Sequence, residues 1–259
     1  MKANRESAVI DVPDHNGNGA TASDECWRAF QRVNQNRRAV RELDGEPIPD
    51  EDVEAVLSEA LLAPSSGNSQ PYVIHWVRDP ARKAAAAMAC RDQRAARSSS
   101  TLLVFVAAPR FALETASMFR AYVESTPELS EKSKAYHLGQ LKTARMFLRI
   151  APSIFWLPLH AFLTAVFPSL TLIPVGPAGI RNWVARSALF AAQTALLAAS
   201  ARGLDTCPME GFDARKLARV LGLRRGDVIA LVVALGRRQP DARIEPRWRR
   251  QLEQAVEVH

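Results

Sequence analysis

The sequence predicts an α+β fold, a central mixed β-sheet flanked by helices, and three observations carry that prediction. Short β-rich runs between turn residues, at Tyr72–Val77 and residues 102–107, read as core strands. A near-continuous apolar run at residues 228–235 reads as a central strand buried on both faces. Between these runs, apolar residues recur at helical spacing. The chain has 259 residues, 47% of them hydrophobic and 24% charged, so it is long enough to bury a sizeable core.

Taken in order, residues 1–23 are rich in Asn, Gly, Asp and Ser and lack an apolar period. They predict a disordered N-terminal tail ahead of a single domain over residues 24–259. Residues 24–36 predict a helix with Trp27, Phe30 and Val33 on one face. Pro49 followed by Asp50, Glu51 and Asp52 marks the start of another, with acids at the positive end of its dipole. Val53, Val56, Leu57, Ala60 and Leu61 form its apolar stripe, and Pro64 ends it. Further helices are predicted at 82–90, 131–149 and 182–201, the last stopped by Gly203. A strand is expected to begin near Leu204. Asp213 caps a short helix that ends at Gly222, and residues 247–256 predict a terminal helix.

Residues 150–180 contain no charged side chain. The length would allow a membrane span, but Pro152, Pro158, Pro168, Pro174 and Pro177 cut the segment into pieces too short for one. A buried lid, a dimer contact and a segment lying on a membrane surface all remain open for it.

Bulk charge narrows the partners. A net charge of +7 favours a phosphate cofactor, an anionic membrane or nucleic acid. The arginines are scattered and match no nucleic-acid-binding module, which argues against the last. Cys26, Cys90 and Cys207 form no C-x-x-C pair, so zinc-ribbon and thioredoxin-like chemistry are excluded. Residues 1–6 are too polar to begin a secretory signal, and a cytoplasmic location is expected. The five histidines show no metal-site spacing, so no metal is expected.

Four segments can carry chemistry. Arg37, Arg38 and Arg41 lie within five residues, and guanidinium forks bind phosphate bidentately at any physiological pH. A solvated basic turn is the alternative. Residues 64–71 (Pro64, Ser65, Ser66, Gly67, Asn68, Ser69, Gln70, Pro71) concentrate more hydrogen-bonding capacity than a turn needs. Pro208, Met209, Glu210 and Gly211 follow Cys207 at the end of a strand, where a backbone N–H can face a ligand. Arg247 and Arg249 follow the last strand, with Arg238 a second basic candidate.

In this order and spacing the four segments resemble the flavin site of the nitroreductase family, over roughly residues 37–252. Trp183, Arg186, Ala192 and Gln193 look like that family's long dimer helix. The resemblance implies an intertwined homodimer with FMN sites at the interface and helix 182–201 against its copy. NAD(P)H would reduce FMN by hydride transfer, and a nitroaromatic, quinone or other lipophilic acceptor would then take the electrons in a ping-pong cycle. No G-x-G-x-x-G or P-loop pattern is present, so the dinucleotide would be a transient substrate.

The resemblance also implies roles. Arg37, Arg38, Ala39, Arg41, Arg247 and Arg249 would surround the FMN phosphate or stabilise charge. Pro64, Ser65, Ser66, Asn68 and Gln70 would line the ribityl chain and ring. Pro208 and Met209 would border the flavin, while Glu210 and Gly211 would address N5. Cys207 is expected to pack beside the flavin. Two departures stand out: Ala39 occupies a position often held by serine, and the residue facing the pyrimidine edge is open among Gln93, Arg94 and Arg97. Arg94 is the cofactor-binding candidate there, and Arg41 can serve instead. Two rival readings remain: a dehalogenase or flavin-fragmenting enzyme of the same fold, and a non-catalytic flavin-binding protein peripheral to the membrane through residues 150–180.

Overall fold

The computed structural model describes residues 19–151, 153, 155–166 and 175–259, with backbone alone at 19–22, 160 and 164. Its described residues fall into two compact units, divided between Asn36 and Arg37. In the first, helix α1 spans Gly19–Asn36, and Trp27 and Phe30 stack with ring centroids 5.8 Å apart. This helix begins five residues before the predicted start. The rest of the predicted tail lies outside the described residues.

The second unit is built on four strands: β1 (Tyr72–Val77), β2 (Thr101–Ala107), β3 (Asp205–Met209) and β4 (Val228–Gly236). Their order is β1-β2-β4-β3, and every neighbouring pair is antiparallel. The parallel component of the sheet is a single bridge, Ala39 to Thr206. Around the sheet lie α2 (Asp50–Leu61), α3 (Pro80–Ala89), α4 (Arg94–Ser98), α5 (Pro109–Ser125), α6 (Glu131–Ile150), α7 (Trp156–Val166), α8 (Gly176–Ala201) and α9 (Ala214–Leu221).

Every residue of β2 is buried, because helices cover both of its faces. Leu102, Val104 and Val106 pack with Ala86, Ala96 and Leu217 of α3, α4 and α9. Leu103, Phe105 and Ala107 pack with Val53 and Val56 of α2 and with Ala188, Ala191 and Ala195 of α8. Alternation along the strand thus feeds two cores, and each fully buried Leu, Val or Phe contributes about 1.5–3 kcal/mol. The alanines of α8 keep its backbone close to the sheet. Among the described residues, α8 is the one helix long and apolar enough to cross a membrane, and its buried face is the floor of the second core.

Most element bounds differ from the prediction by a few residues. The exceptions have physical causes. Helix α5 lay in a segment with no predicted element; Pro109 opens its first turn and Phe111, Ala112, Ala116 and Val123 are its buried stripe. Residues 247–256 form no α-helix. They lack regular structure up to a short 3-10 turn at Leu252–Gln254, and Arg247 Nη2 donates to the Arg37 carbonyl (2.8 Å). Within 150–180 the chain forms α7, with Pro158 in its first turn where no intrahelical donor is lost. The remaining prolines other than Pro177 fall outside the described residues.

An ion pair ties α5 to the start of β4. Arg110 donates from Nε to Asp227 Oδ1 (3.1 Å) and from Nη2 to Oδ2 (2.8 Å), and the Asp227 side chain is 2% exposed. Burial pushes the Asp227 carboxyl up, but Arg110 and the Arg224 N–H together outweigh it and hold it below the ordinary value. A depressed native value means stability that is full above the ordinary carboxylate range and lost as pH falls through the native one. Arg110→Ala, which leaves a buried carboxylate without its partner, is expected to cost about 3 kcal/mol in urea unfolding. Asp227→Asn should flatten the loss of stability below about pH 4.

Candidate functional site

The arginine group is assembled from the two ends of the second unit. Ala39 bridges Thr206, and the Val40 N–H donates to the Thr206 carbonyl at 2.9 Å. Val40 and Leu43 are fully buried, which anchors the segment against the sheet. This places Arg37, Arg38 and Arg41 alongside the start of β3. The C-terminal strap then crosses them: Arg38 Nη2 hydrogen-bonds the Glu245 carbonyl, and Arg247 reaches the Arg37 carbonyl.

The result is a cavity of about 190 Å³ lined by Arg37, Arg38, Ala39 and Arg41 on one side and by Arg243, Arg247, Trp248 and Arg249 on the other. Its one acid, Glu245, pairs with Arg243. Burial first, and then the charges of Arg247, Arg249 and Arg38, push the Arg37 guanidinium below its usual range. Like charges gathered without matching carboxylates fit a dianionic phosphate. Sequence reasoning missed Arg243, whose only signal was its place four residues before Arg247. Arg238 is drawn away: it donates from Nε to Asp205 Oδ2 at 2.9 Å.

The Pro208–Gly211 segment adjoins this group through β3. Met209 is buried as the last residue of the strand, and Glu210 is exposed. The turn is fixed from both sides. The Phe212 N–H donates to the Glu210 carbonyl (3.0 Å), and the Asp213 N–H donates to the Ala89 carbonyl (2.7 Å). Asp213 then caps α9 by accepting from the Arg215 and Lys216 N–H groups, both at 3.0 Å. Gln93 Nε2 donates to the Gly211 carbonyl (2.8 Å) and the Cys90 carbonyl (3.0 Å). Gly211 donates no hydrogen bond from its own N–H among the described residues.

Of the three candidates near α4, Gln93 is therefore the one that meets the Glu210–Gly211 turn. Arg94 is held by Glu42, and Arg97 pairs with Asp92 at 3.3 Å. Arg94 Nη1 thus lies against the Glu42 carboxylate.

The polar loop lies elsewhere. Ser65 accepts from the Gln70 N–H (3.0 Å), and Gln70 Nε2 donates to Asn68 Oδ1 (3.0 Å). Gly67, Asn68 and Gln70 all adopt positive φ, a left-handed bend that local side-chain bonds sustain. Ser69 Oγ is buried without a hydrogen-bond partner. Pro64 and Ser66 are exposed at the loop's start. The loop leads into Tyr72, which pairs with Ala107, whereas Thr206 beside the arginines pairs with Leu235 and so lies level with Thr101. The two groups therefore occupy opposite corners of the sheet, about 25 Å apart by strand spacing and rise.

Cys207 is buried beside the arginine segment. Burial pushes its thiol up, against a smaller downward pull from Arg41. Burial pushes Cys90 up to about 11. Among the described residues, no three His, Cys, Asp or Glu side chains are grouped to hold a metal ion.

The second unit thus joins an α+β fold to an arginine-lined cavity at one corner of its sheet, with a braced Glu-Gly turn nearby. Comparison with known proteins names the family. The nitroreductase family model matches residues 35–237, and the chain belongs to that family of oxidoreductases, whose cofactors are FMN and NAD(P)H. The chain is 27% identical over 200 residues to a protein of Thermus thermophilus described as an NADH dehydrogenase, covering 77% of this chain and 82% of that one. Two solved structures share the fold. A Bacillus subtilis protein described as a nitroreductase superposes with a TM-score of 0.71 at 22% identity, covering 90% of this chain and all of that one. An Exiguobacterium sibiricum protein solved in complex with FMN gives 0.65 at 19% identity, covering 89% and 97%.

The thiol environments lead to a test. With limiting iodoacetamide at pH 8, exposed Cys26 is expected to be alkylated at least about tenfold faster than Cys90 and Cys207, as read by peptide mass spectrometry.

Proposed function

We propose that this chain is a homodimeric, FMN-dependent NAD(P)H oxidoreductase of the cytoplasm, acting on a nitroaromatic, quinone or other lipophilic acceptor. The observation that carries the reading is the cavity itself: arginines from residues 37–41 and 243–249 face one space that holds a single acid, already paired. Bound FMN would supply two-electron hydride chemistry, taking electrons from NAD(P)H and passing them to the acceptor in ping-pong order.

Within that reading the chain's own residues have distinct tasks. Arg37, Arg38, Arg247 and Arg249 hold the phosphate, each charge-assisted bond contributing about 1.5–3 kcal/mol. Arg41, beside Cys207, extends positive charge along the strand. The Gly211 N–H is the donor aimed at N5, and Gln93 is a positioning residue that fixes the Gly211 carbonyl and thereby the direction of that N–H. Ser65, Asn68 and Gln70 are preorganised by their own hydrogen bonds to receive the ribityl chain and ring.

The separation of loop and arginines supports the homodimer. In one chain they lie at opposite corners of the sheet; in a two-fold dimer the loop of one protomer can complete the arginine cavity of its partner. Leu189 and Phe190 on α8 are exposed, large and apolar, and suit the pairing face. The lipophilic acceptor is supported by Phe155 and Phe162, exposed in and beside α7. Free cysteines throughout the described residues accord with a reducing compartment.

Two measurements test the reading. Anaerobic NADH and NADPH should each be tried against the flavin absorbance of the purified protein, and bleaching by at least one is expected. A colourless protein that cannot be reconstituted with FMN would overturn the proposal. Arg249→Ala should weaken FMN retention about 10- to 100-fold after dialysis. Asn68→Ala should weaken it as well. Mixed dimers of these two variants should recover about a quarter of the sites by random assortment, because half of the dimers then carry one intact site. No recovery on mixing would leave the cofactor reading standing and remove the shared site.

A further inference from the structure

Between Glu131 and Asp205 the chain contains no Asp or Glu, while eight Lys and Arg side chains fall in the same 73 residues. Much of this charge is focused on one face of α6. Lys142, Arg145 and Arg149 recur at intervals of three and four residues, so they share a helix face, and each has an apolar neighbour on the same stripe. With Arg120 of α5 they line a groove of about 600 Å³ that Met146 and Ile150 also line.

The cations of this groove are little neutralised. Arg120 pairs with Glu124 at 2.7 Å, and Arg145 donates to Ser117 Oγ at 3.3 Å. Among the described residues, neither Lys142 nor Arg149 pairs with a carboxylate. The groove also exposes what a soluble surface normally covers: Met146 is 60% exposed and Ile150 is 49% exposed. At Ile150 the face runs directly into α7, because Trp156 Nε1 donates to the Ile150 carbonyl at 3.0 Å. There Phe155 is 88% exposed and Phe162 is 61% exposed.

Cations interleaved with exposed apolar side chains match one partner chemistry, a surface with anionic headgroups over an apolar interior. We propose that the α5–α6–α7 face docks on an anionic phospholipid bilayer, with Lys142, Arg145 and Arg149 at the headgroups and Phe155 and Phe162 entering the interface. A second copy of the chain is a poor occupant, because two-fold pairing through this face would gather the cations of both copies, and the acids of α5 and α6, Glu114, Glu124 and Glu131, already pair with Arg110, Arg120 and Lys134. A nucleic acid would meet the charges but leave the apolar residues wet. Docking here would bring the enzyme to membrane-dissolved acceptors. It rests on the arrangement of α6 and α7, and it stands whether or not the flavin reading does.

The test is vesicle flotation of the full-length protein, with vesicles of phosphatidylglycerol and phosphatidylcholine against vesicles of phosphatidylcholine alone. The protein is expected to float with the anionic vesicles and to be released at 0.5 M salt, where screening reaches only a few Å. Each cation at an anionic surface raises partitioning about fivefold, so Lys142→Gln, Arg145→Gln and Arg149→Gln together should weaken it about 100-fold. Phe155→Ser with Phe162→Ser should also weaken flotation with the anionic vesicles at low salt. Circular dichroism of each variant, unchanged, separates loss of docking from loss of fold. Equal flotation on both vesicles, no flotation, or a triple variant that floats like the parent would each overturn the proposal. So would retention of a labelled DNA duplex without flotation, which would make the face a nucleic-acid surface.

Discussion

Burial of β2 and β4 on both faces is the constraint on which the rest of the molecule depends. A strand that must be apolar on both sides needs a helical layer above and below, and the chain supplies α2 and α8 on one side and α3, α4 and α9 on the other. Only the edges of the sheet are then left to carry polar function. The β3 edge carries the arginine segment through the Ala39–Thr206 bridge, and the β1 edge carries the polar loop through Tyr72. The bridge joins residues 167 positions apart and brings Arg37, Arg38 and Arg41 alongside the strand that leads into Glu210 and Gly211.

The same order of strands determines what one chain can and cannot build alone. β1 and β3 are the two outer strands, so functional groups attached to them are separated by the full width of the sheet. Antiparallel pairing adds the length of a strand, because the loop precedes β1 while the arginines flank the start of β3. A flavin is recognised at its phosphate, its ribityl chain and its ring together. If the loop and the arginines meet one flavin, as proposed, sheet order requires that two copies be combined, because one chain holds the two groups at opposite corners.

Much of this was legible in the sequence, and the rest was hidden for identifiable reasons. The strands β1, β2 and β4 announced themselves by β-branched and apolar runs, and α9 by its Asp213 cap and the left-handed Gly222 at its end. Helix α5 was missed because its stripe is thin, with alanine at two of its four buried positions. The C-terminal segment has helical composition, but its Arg247 side chain donates to the Arg37 carbonyl and Arg38 donates to the Glu245 carbonyl just ahead of it, contacts across most of the chain that no local propensity can report. At the candidate site, the two arginine groups were readable from composition and order. The choice between Gln93 and Arg94 was not, because it turns on Glu42 and the Gly211 carbonyl competing for side chains one position apart.

Assembling the arginine cavity opposes folding. Arg37 is pressed by burial and by three neighbouring guanidinium groups, and the cavity's only acid is occupied by Arg243. Buried apolar surface at Val40 and Leu43 and the backbone bonds to Thr206 hold the segment in place against that repulsion. An anion that enters the cavity meets donors already oriented and removes repulsion at the same time. Its binding therefore adds to stability as well as to occupancy, because a ligand that binds only the folded state raises the free energy of unfolding. The structure uses positive charge in two ways. In the cavity it is concentrated, partly buried and suited to a single phosphate. On α6 it is spread along an exposed helix face among apolar side chains, where only an extended anionic surface can meet all of it.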